Sequence, residues 1–311
     1  WYDTAAAGWK YQYPQLSTGA WSTANSLNTS RQDFAGCGTS TAALVFGGKN
    51  PPGPNIYAIT ESFDGSWTEV NDMNTARGHN AGLGIQTAAI CVGGEPPIMD
   101  NSETWNGSNW TEGNNLNTAR KGLDATGTTT AGLAFAGETS PGPKTGATES
   151  YNGTSWTEVN DMNTARMFVG AAGYTDGQTA SLVFGGQNGQ PEYALVEIWN
   201  GTNWTETTDL NTERTNCAGF GLSTAGVCVG GQPAPVSAYT ENWNGSNWTE
   251  VADLSEGRHA PASSGASNTA GLISGGGQPG SPPNTATVEQ WNSNLPVGAW
   301  SSANSLNTAR T

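Results

Sequence analysis

ESFDGSWTEVNDMNTAR, residues 61–77, is one of five near-copies of a single passage. ETWNGSNWTEGNNLNTAR stands at 103–120, ESYNGTSWTEVNDMNTAR at 149–166, EIWNGTNWTETTDLNTER at 197–214 and ENWNGSNWTEVADLSEGR at 241–258. Each copy ends on an arginine, and Arg31 and Arg310 close shorter versions of the same wording. From Arg31 through Arg77, Arg120, Arg166, Arg214 and Arg258 to Arg310, the spacings are 46, 43, 46, 48, 44 and 52 residues. A period of roughly 40–50 residues with glycine pairs and tryptophans at fixed offsets belongs to β-propeller blades. Helical repeats of that length would need apolar residues at 3.6-residue spacing, and the chain has none.

Each period divides into four short strands. A small-residue strand such as DFAGCG, NAGLG or NCAGFG follows the arginine. Next come TAALVFGG (41–48), TAAICVGG (87–94), TAGLAFAG (130–137), TASLVFGG (179–186), TAGVCVGG (224–231) and TAGLISGG (269–276). The third strand ends in Phe63, Trp105, Tyr151, Trp199, Trp243 or Trp291. In the first five copies Asp-Gly or Asn-Gly follows at once, a strong signal for a tight hairpin. The fourth strand opens with Trp67, Trp110, Trp156, Trp204, Trp248 or Trp300. Blades set around an axis are crowded at the centre and splayed at the rim. Gly and Ala therefore suit the innermost strand, while a Trp in each blade fills the outer gap and buries about 150–250 Å².

Composition bounds the rest. With 43 Gly, 13 Trp and 12% charged residues, the 311-residue chain is too aromatic and too poor in charge for disorder. Its net charge of −15, with only 11 Lys and Arg, argues against a nucleic-acid partner. No apolar run approaches the length of a membrane span. There is no signal-peptide pattern and the first residue is Trp1, which reads as a processed product or part of something longer. Cys91 and Cys228 fall in equivalent strands and Cys37 and Cys217 replace small residues in another, as small buried thiols rather than a disulfide framework.

Gly-Gly closing strand two, an aromatic closing strand three, a Trp opening strand four and an Arg before the next blade together resemble the kelch repeat. The wording AGxGTxTAxLxFGG followed by YNGTSWTEVNDMNTAR is more narrowly similar to kelch-like proteins encoded by marine tailed bacteriophages. The resemblance covers about 21–310. It lacks the Asn-Gly turn between strands one and two found in cellular kelch domains, and it has no BTB-type partner domain. The expected fold is all-β, a six-bladed kelch-like propeller of four-stranded antiparallel blades over 21–311, preceded by an aromatic-rich segment at 1–20 that should dock on the propeller or on a partner subunit. The fourth-strand piece GAWSTANSLNTSR (19–31) is nearly duplicated by GAWSSANSLNTAR (298–310). Six blades need only one of them as a closing strand, so the other packs elsewhere. Seven blades stay open if the chain extends beyond Thr311. All seven fourth-strand tryptophans, Trp21 included, are expected to be largely buried.

The repeated charges read as structure. The arginines should tie adjacent blades together through carbonyls or a carboxylate, the alternative being an anion-binding ring near the axis. Glu69, Glu112, Glu158, Glu206 and Glu250, each after a Trp-Thr pair, should lie on a solvated face. A carboxylate copied five times in one setting offers no separation of acid from base. His79 and His259 lie in non-neighbouring blades and do not supply the three converging ligands of a catalytic metal site, so neither metal nor cofactor is expected. FDGSW and YNGTSW resemble the Asp boxes of sialidases, but the spacing differs and no Tyr–Glu nucleophile pair stands out. The sequons at Asn28, Asn106, Asn109, Asn152, Asn200, Asn203, Asn244 and Asn247 are what an Asn-Gly-Ser turn produces in any case, glycosylated or not.

The uncopied part is the loop between strands two and three: KNPPGPNIYA, EPPIMDN, ETSPGPKTGA, QNGQPEYAL, QPAPVSAY and GQPGSPPNTA. These loops share a face with the NTAR connections, while the Asn-Gly turns lie opposite. Proline limits the entropy lost on binding, and Tyr57, Tyr193 and Tyr239 are the candidate ligand-binding side chains. The expected role is a non-enzymatic virion component, on capsid or tail, that binds a host surface or a neighbouring protein at the virion surface or outside the cell. A host-surface glycan is one candidate partner, and a homo-oligomer stays open. The alternatives are a secreted carbohydrate-binding lectin and, third, a glycoside hydrolase of sialidase type.

Overall fold

The computed structural model describes residues 19–51, 53–139, 142–232, 236–278 and 284–293, and the backbone of two short paired segments, Tyr2–Asp3 and Gly8–Trp9. Six four-stranded antiparallel sheets form a ring. Blade 1 comprises Ala35–Gly38, Ala43–Phe46, Thr60–Phe63 and Trp67–Val70, and blade 2 Ala81–Ile85, Ala88–Val92, Ser102–Trp105 and Trp110–Glu112. Blade 3 runs Asp124–Thr128, Ala131–Phe135, Thr148–Tyr151 and Trp156–Val159. Blade 4 is Gly170–Ala172, Ser181–Phe184, Val196–Trp199 and Trp204–Glu206, and blade 5 Ala218–Leu222, Ala225–Val229, Thr240–Trp243 and Trp248–Glu250. Blade 6 takes Ala262–Ser267, Ala270–Ser274 and Val288–Asn292 from the end of the described chain and Ala20–Ala24 from its beginning. The ring is thus a six-bladed β-propeller, and the seven-bladed alternative is set aside. The N-terminal member of the duplicated pair closes it, removing a sheet edge that would otherwise be exposed. Residues 298–310, with Trp300, lie outside the described residues, as does the docking expected of most of 1–20.

The second strand of every blade lies inside the wall and is almost wholly apolar, with Ser181 in blade 4 and Ser274 in blade 6 the exceptions among the described residues; Ala43, Leu44, Val45 and Phe46 have no exposed surface. The innermost strand needs glycine for close approach. A Cβ on Gly82 would come within 2.6 Å of Phe46 in the preceding blade. The core is not central: it is divided among six layers between neighbouring blades. At the outer end of each layer the last aromatic of strand three faces the first Trp of strand four. Ring centroids are 5.0 Å apart for Phe63–Trp67, 5.5 Å for Trp105–Trp110, 4.8 Å for Tyr151–Trp156, 5.4 Å for Trp199–Trp204 and 5.3 Å for Trp243–Trp248. Trp291–Trp21, at 5.2 Å, makes the sixth. Trp67, Trp110, Trp156, Trp204 and Trp248 are buried as expected. Trp21 is only half-buried, which corrects that expectation; it packs on the margin of the apolar layer between blades 5 and 6.

The arginines tie blades together. Each is buried and reaches a third-strand glutamate of the following blade: Arg31 to Glu61 (2.9 Å), Arg77 to Glu103 (2.5 Å), Arg120 to Glu149 (2.8 Å), Arg166 to Glu197 (2.6 Å), Arg214 to Glu241 and Arg258 to Glu289 (2.5 Å). The other oxygen of each carboxylate is held by the connection ahead of it. The Asn117 backbone N–H and Nδ2 donate to Glu149 Oε2 at 2.7 and 2.8 Å, and Asn28, Asn74, Asn163 and Asn211 do the same to Glu61, Glu103, Glu197 and Glu241. Every copied passage therefore begins with the carboxylate that the previous arginine enters and ends with the arginine that enters the next one.

Candidate functional site

The connection from each fourth strand to the next innermost strand turns through one residue with positive φ: Asp33 (57°), His79 (53°), Gly122 (61°), Phe168 (57°), Asn216 (54°) and Ala260 (49°). These six form a closed ring of backbone hydrogen bonds around the axis. The amide of Asp33 donates to the Ala260 carbonyl (3.0 Å), His79 to Asp33 (2.8 Å), Gly122 to His79 (2.9 Å), Phe168 to Gly122 (2.8 Å), Asn216 to Phe168 (2.9 Å) and Ala260 to Asn216 (2.8 Å). Only one member is glycine. The others hold a conformation that costs an L residue of order 1–3 kcal/mol, most unusual for a bulky Phe168. The backbone is repeated; the side chains are not. They surround the mouth of an axial cavity of about 100 Å³, deeper in which lie Asn80, Leu123 and Asp124.

The copy-specific charges gather at this mouth across blades 1 to 3. His79 sits between two carboxylates, with Nε2 3.0 Å from Asp33 Oδ1 and Nδ1 2.8 Å from Glu95 Oε1. Both ring nitrogens face carboxylate oxygens, an arrangement that favours the imidazolium, while Lys49 Nζ, 3.2 Å from Nε2, opposes it. Lys49 approaches Asp33 Oδ2 at 3.3 Å, Lys121 bonds Glu95 at 2.8 Å, and Lys144 reaches Glu138 at 3.2 Å. Burial opposes the charges of Asp33, His79 and Glu95, but the pairing outweighs it. Asp33 is held well below the usual carboxylate range by His79, Lys49 and Gln32. The His79 pKa is raised, since Asp33 and Glu95 together exceed the effect of burial. The His79 hydrogen bond and Lys121 bring Glu95 down to about 2. The imidazolium also lies 4.8 Å from the Phe168 ring. His259, by contrast, is drawn down by burial and its Nδ1 has no partner among the described residues.

Asp124 occupies a register position held by Ala35, Ala81, Gly170, Ala218 and Ala262 in the other blades. Its carboxyl lines both the mouth cavity and a second cavity of about 80 Å³ further along the axis. Oδ1 accepts the Ala125 N–H at 2.8 Å, and it forms no ion pair among the described residues. Burial in the channel wall pushes its pKa up to about 7. No group of three or more His, Cys, Asp or Glu among the described residues could hold a metal ion.

Where the six two–three loops leave the Gly pair they bridge to the residue after each arginine: Gln32 to Lys49, Gly78 to Glu95, Lys121 to Glu138, Met167 to Gln187, Thr215 to Gln232 and His259 to Gly277. Loops and connections thus share the face of the mouth. Tyr57 and Tyr193 are half-buried, in blades 1 and 4 on opposite sides of the ring; Tyr239 in blade 5 is 47% exposed. The three do not converge. Their backbones belong to the common framework, as the Tyr239 carbonyl accepts Arg214 Nη1 at 3.0 Å and the Tyr193 carbonyl accepts the Arg214 amide. The side chains vary, with Ile59, Asn101, Leu195 and Thr287 in the register position of Tyr239. On the opposite face the turns of blades 2 to 5 are folded on themselves: Asn106, Asn152, Asn200 and Asn244 accept two backbone N–H groups apiece, which accounts for the sequons at those four positions. Glu69, Glu112, Glu158, Glu206 and Glu250 are exposed, and the four cysteines are free and buried. The mouth cluster went unread in the sequence. Its one signal was that Asp, His, Phe and Asn stand two residues after otherwise repeated arginines.

No protein-family model matches the chain, and no curated protein matches its sequence. Among solved structures 435 chains match, so the fold by itself does not discriminate between functions. One of them, YjhT, superposes with a TM-score of 0.71 over 85% of this chain and 95% of its own, at 10% sequence identity. At that identity the likeness is one of fold alone.

Proposed function

We propose that the chain is a non-enzymatic recognition propeller, an adhesion component of a phage particle, which binds through the face that carries the channel mouth and the two–three loops. The observation that supports this reading is the segregation of sequence variation. One face repeats the same self-bonded Asn-Gly turn, and the other collects Asp33, His79, Phe168, Asn216, Glu95, Lys49 and the proline-bearing loops. The virion setting rests on the resemblance of the repeat. Asp33 and Glu95 are both held ionised, which suits recognition more than acid–base chemistry, where the two partners need separated pKa values. A lectin is the second reading, favoured by an aromatic ring beside planar polar groups, Phe168 with Asn216 and Asp33, around a small cavity.

Labelled protein applied to a glycan array and to intact marine bacterial cells tests both readings. Tyr193→Ala with Tyr239→Ala, and separately Asn216→Gly, should weaken cell binding with the melting temperature unchanged. Ser108→Ala on the opposite face should leave binding intact. Loss of binding from the Asn-Gly face with the mouth variants silent would overturn the assignment of the face. Submicromolar binding to one defined sugar would replace adhesion to a protein by the lectin reading.

A further inference from the structure

Two departures from the repeat meet inside the ring. The first is Asp124, where four other blades hold Ala and blade 4 holds Gly170. Its Oδ1 accepts the Ala125 N–H, and Oδ2 has no hydrogen bond or ion pair among the described residues. The second departure is in blade 4. Gly170 pairs with Phe184, fourteen residues on, where the equivalent partners in blades 1, 2, 3 and 5 are eleven apart, as in Ala81 and Val92. The surplus folds inward. The Gly173 carbonyl accepts the Gly127 amide of blade 3 at 2.9 Å, and the Gly173 and Tyr174 amides donate to the Gly221 carbonyl of blade 5 at 3.0 and 3.1 Å. Tyr174 lines the second cavity together with Cys37 of blade 1, on the far side of the axis. Burial raises the pKa of the phenol, and the thiol adds to the rise. The channel is thus open at the mouth and crossed by a tyrosine at its other end.

The charged groups lining the two cavities are Asp33, His79 and Asp124. Asp33 and His79 pair with each other at 3.0 Å, so the carboxyl of Asp124 is the unbalanced one. That sign favours a cation over an anion. No group of three or more His, Cys, Asp or Glu that could hold a metal ion is present among the described residues, which leaves an organic cation narrow enough for the channel. In every blade the innermost strand is the edge of its sheet, so backbone carbonyls left out of the ladders face the axis. An ammonium group has three donors, one for Asp124 Oδ2 and two for such carbonyls. Leu123 and Val169 in the mouth cavity offer an apolar wall to its stem. We propose that the axial channel binds an alkylammonium group, a slender primary amine whose charged tip pairs with Asp124 and whose stem points to the mouth. The site does not depend on what the face adheres to. It also accounts for a carboxyl that the fold does not need, since alanine serves that position in blades 1, 2, 5 and 6.

Titration calorimetry at pH 8 with n-butylammonium, uncharged n-butanol and Nα-acetyl-lysine amide tests the site. Butylammonium should bind the protein and raise its melting temperature, as a ligand of the native state does; n-butanol should do neither. Asp124→Ala, which restores the residue of the other blades and so keeps the fold, should weaken butylammonium binding at least about tenfold, and Asp124→Asn likewise. Butylammonium binding alone assigns the channel to a free amine, whereas binding of the lysine amide as well admits the side chain of a partner protein. The proposal is overturned if butylammonium fails to bind, if n-butanol binds equally well, or if the two Asp124 variants bind butylammonium as tightly as the unaltered protein.

Discussion

Glu149 shows how much one repeated residue carries. Its two oxygens receive Arg120 from the preceding blade and the Asn117 amide and side chain from the intervening connection. Removing one partner of a buried ion pair leaves an uncompensated charge, while replacing both with apolar groups does not. Glu149→Gln should therefore cost about 3–5 kcal/mol in urea denaturation, and Arg120→Met with Glu149→Leu distinctly less. Equal losses would show that packing rather than charge holds the joint. The repeat arginines were legible in the sequence as ties between blades; their partners were not. Each copy holds one glutamate on its third strand and one on its fourth, and Glu149 and Glu158, paired in register on adjacent strands, differ only in what covers them. Burial of the first is imposed by the neighbouring blade, which no pattern within one strand reveals.

At the scale of the strand, the fourth-strand Trp of one blade looks back to the first residue of the preceding blade's third strand. Trp110 donates Nε1 to Thr60 Oγ1 at 2.9 Å and Trp204 to Thr148 at 3.0 Å, as Trp21 does to Thr240. Where that position is Val196 or Val288, the indole N–H of Trp248 or Trp67 has no partner among the described residues, and neither has that of Trp156, where the position is the shorter Ser102. A buried donor left unpaired costs about 1–3 kcal/mol, whereas a made hydrogen bond contributes about 1. Thr148→Val should thus destabilise by about 1–2 kcal/mol, and Val196→Thr, nearly isosteric, should stabilise by up to about 1 kcal/mol. Calorimetric melting of the two variants checks the pair; a Val196→Thr protein that melts as low as Thr148→Val would contradict the account. The strands themselves were readable from Gly-Gly, Asn-Gly and the two aromatics, because those residues answer to local backbone and turn chemistry. Thr and Val occupy the same volume at the same register position, so the hydrophobic pattern conceals which blades are short of a hydrogen bond.

For the molecule as a whole, the blade count followed from the period, but the mouth did not, because six residues spaced more than forty apart meet only when the ring closes. Those residues also set how stability responds to pH. Asp124 titrates at about 7 in the fold and near 4 when unfolded. Between those values the native state holds a proton that the unfolded chain has lost, so stability falls as pH rises from about 4 to about 7. His79 acts in the same direction: its folded pKa lies above the unfolded value of about 6.5, and its contribution, complete below that, is lost as pH rises through the folded value. Asp33 and Glu95 are depressed, so what they contribute is present above about 4 and lost as pH falls through their folded values. These four terms by themselves place maximum stability at about pH 4–6, while His259, whose folded pKa burial lowers, acts the other way and contributes more as pH rises toward about 6.5. Asp124→Asn should leave stability at pH 4 unchanged and gain about 1–3 kcal/mol at pH 8, less than in a sealed site because the channel admits water. His79→Gln should lose more at pH 5 than at pH 9. Urea midpoints at pH 3, 5 and 8 measure the profile, and a wild-type midpoint that climbs from pH 5 to pH 8 would mean that neither group titrates as its surroundings require.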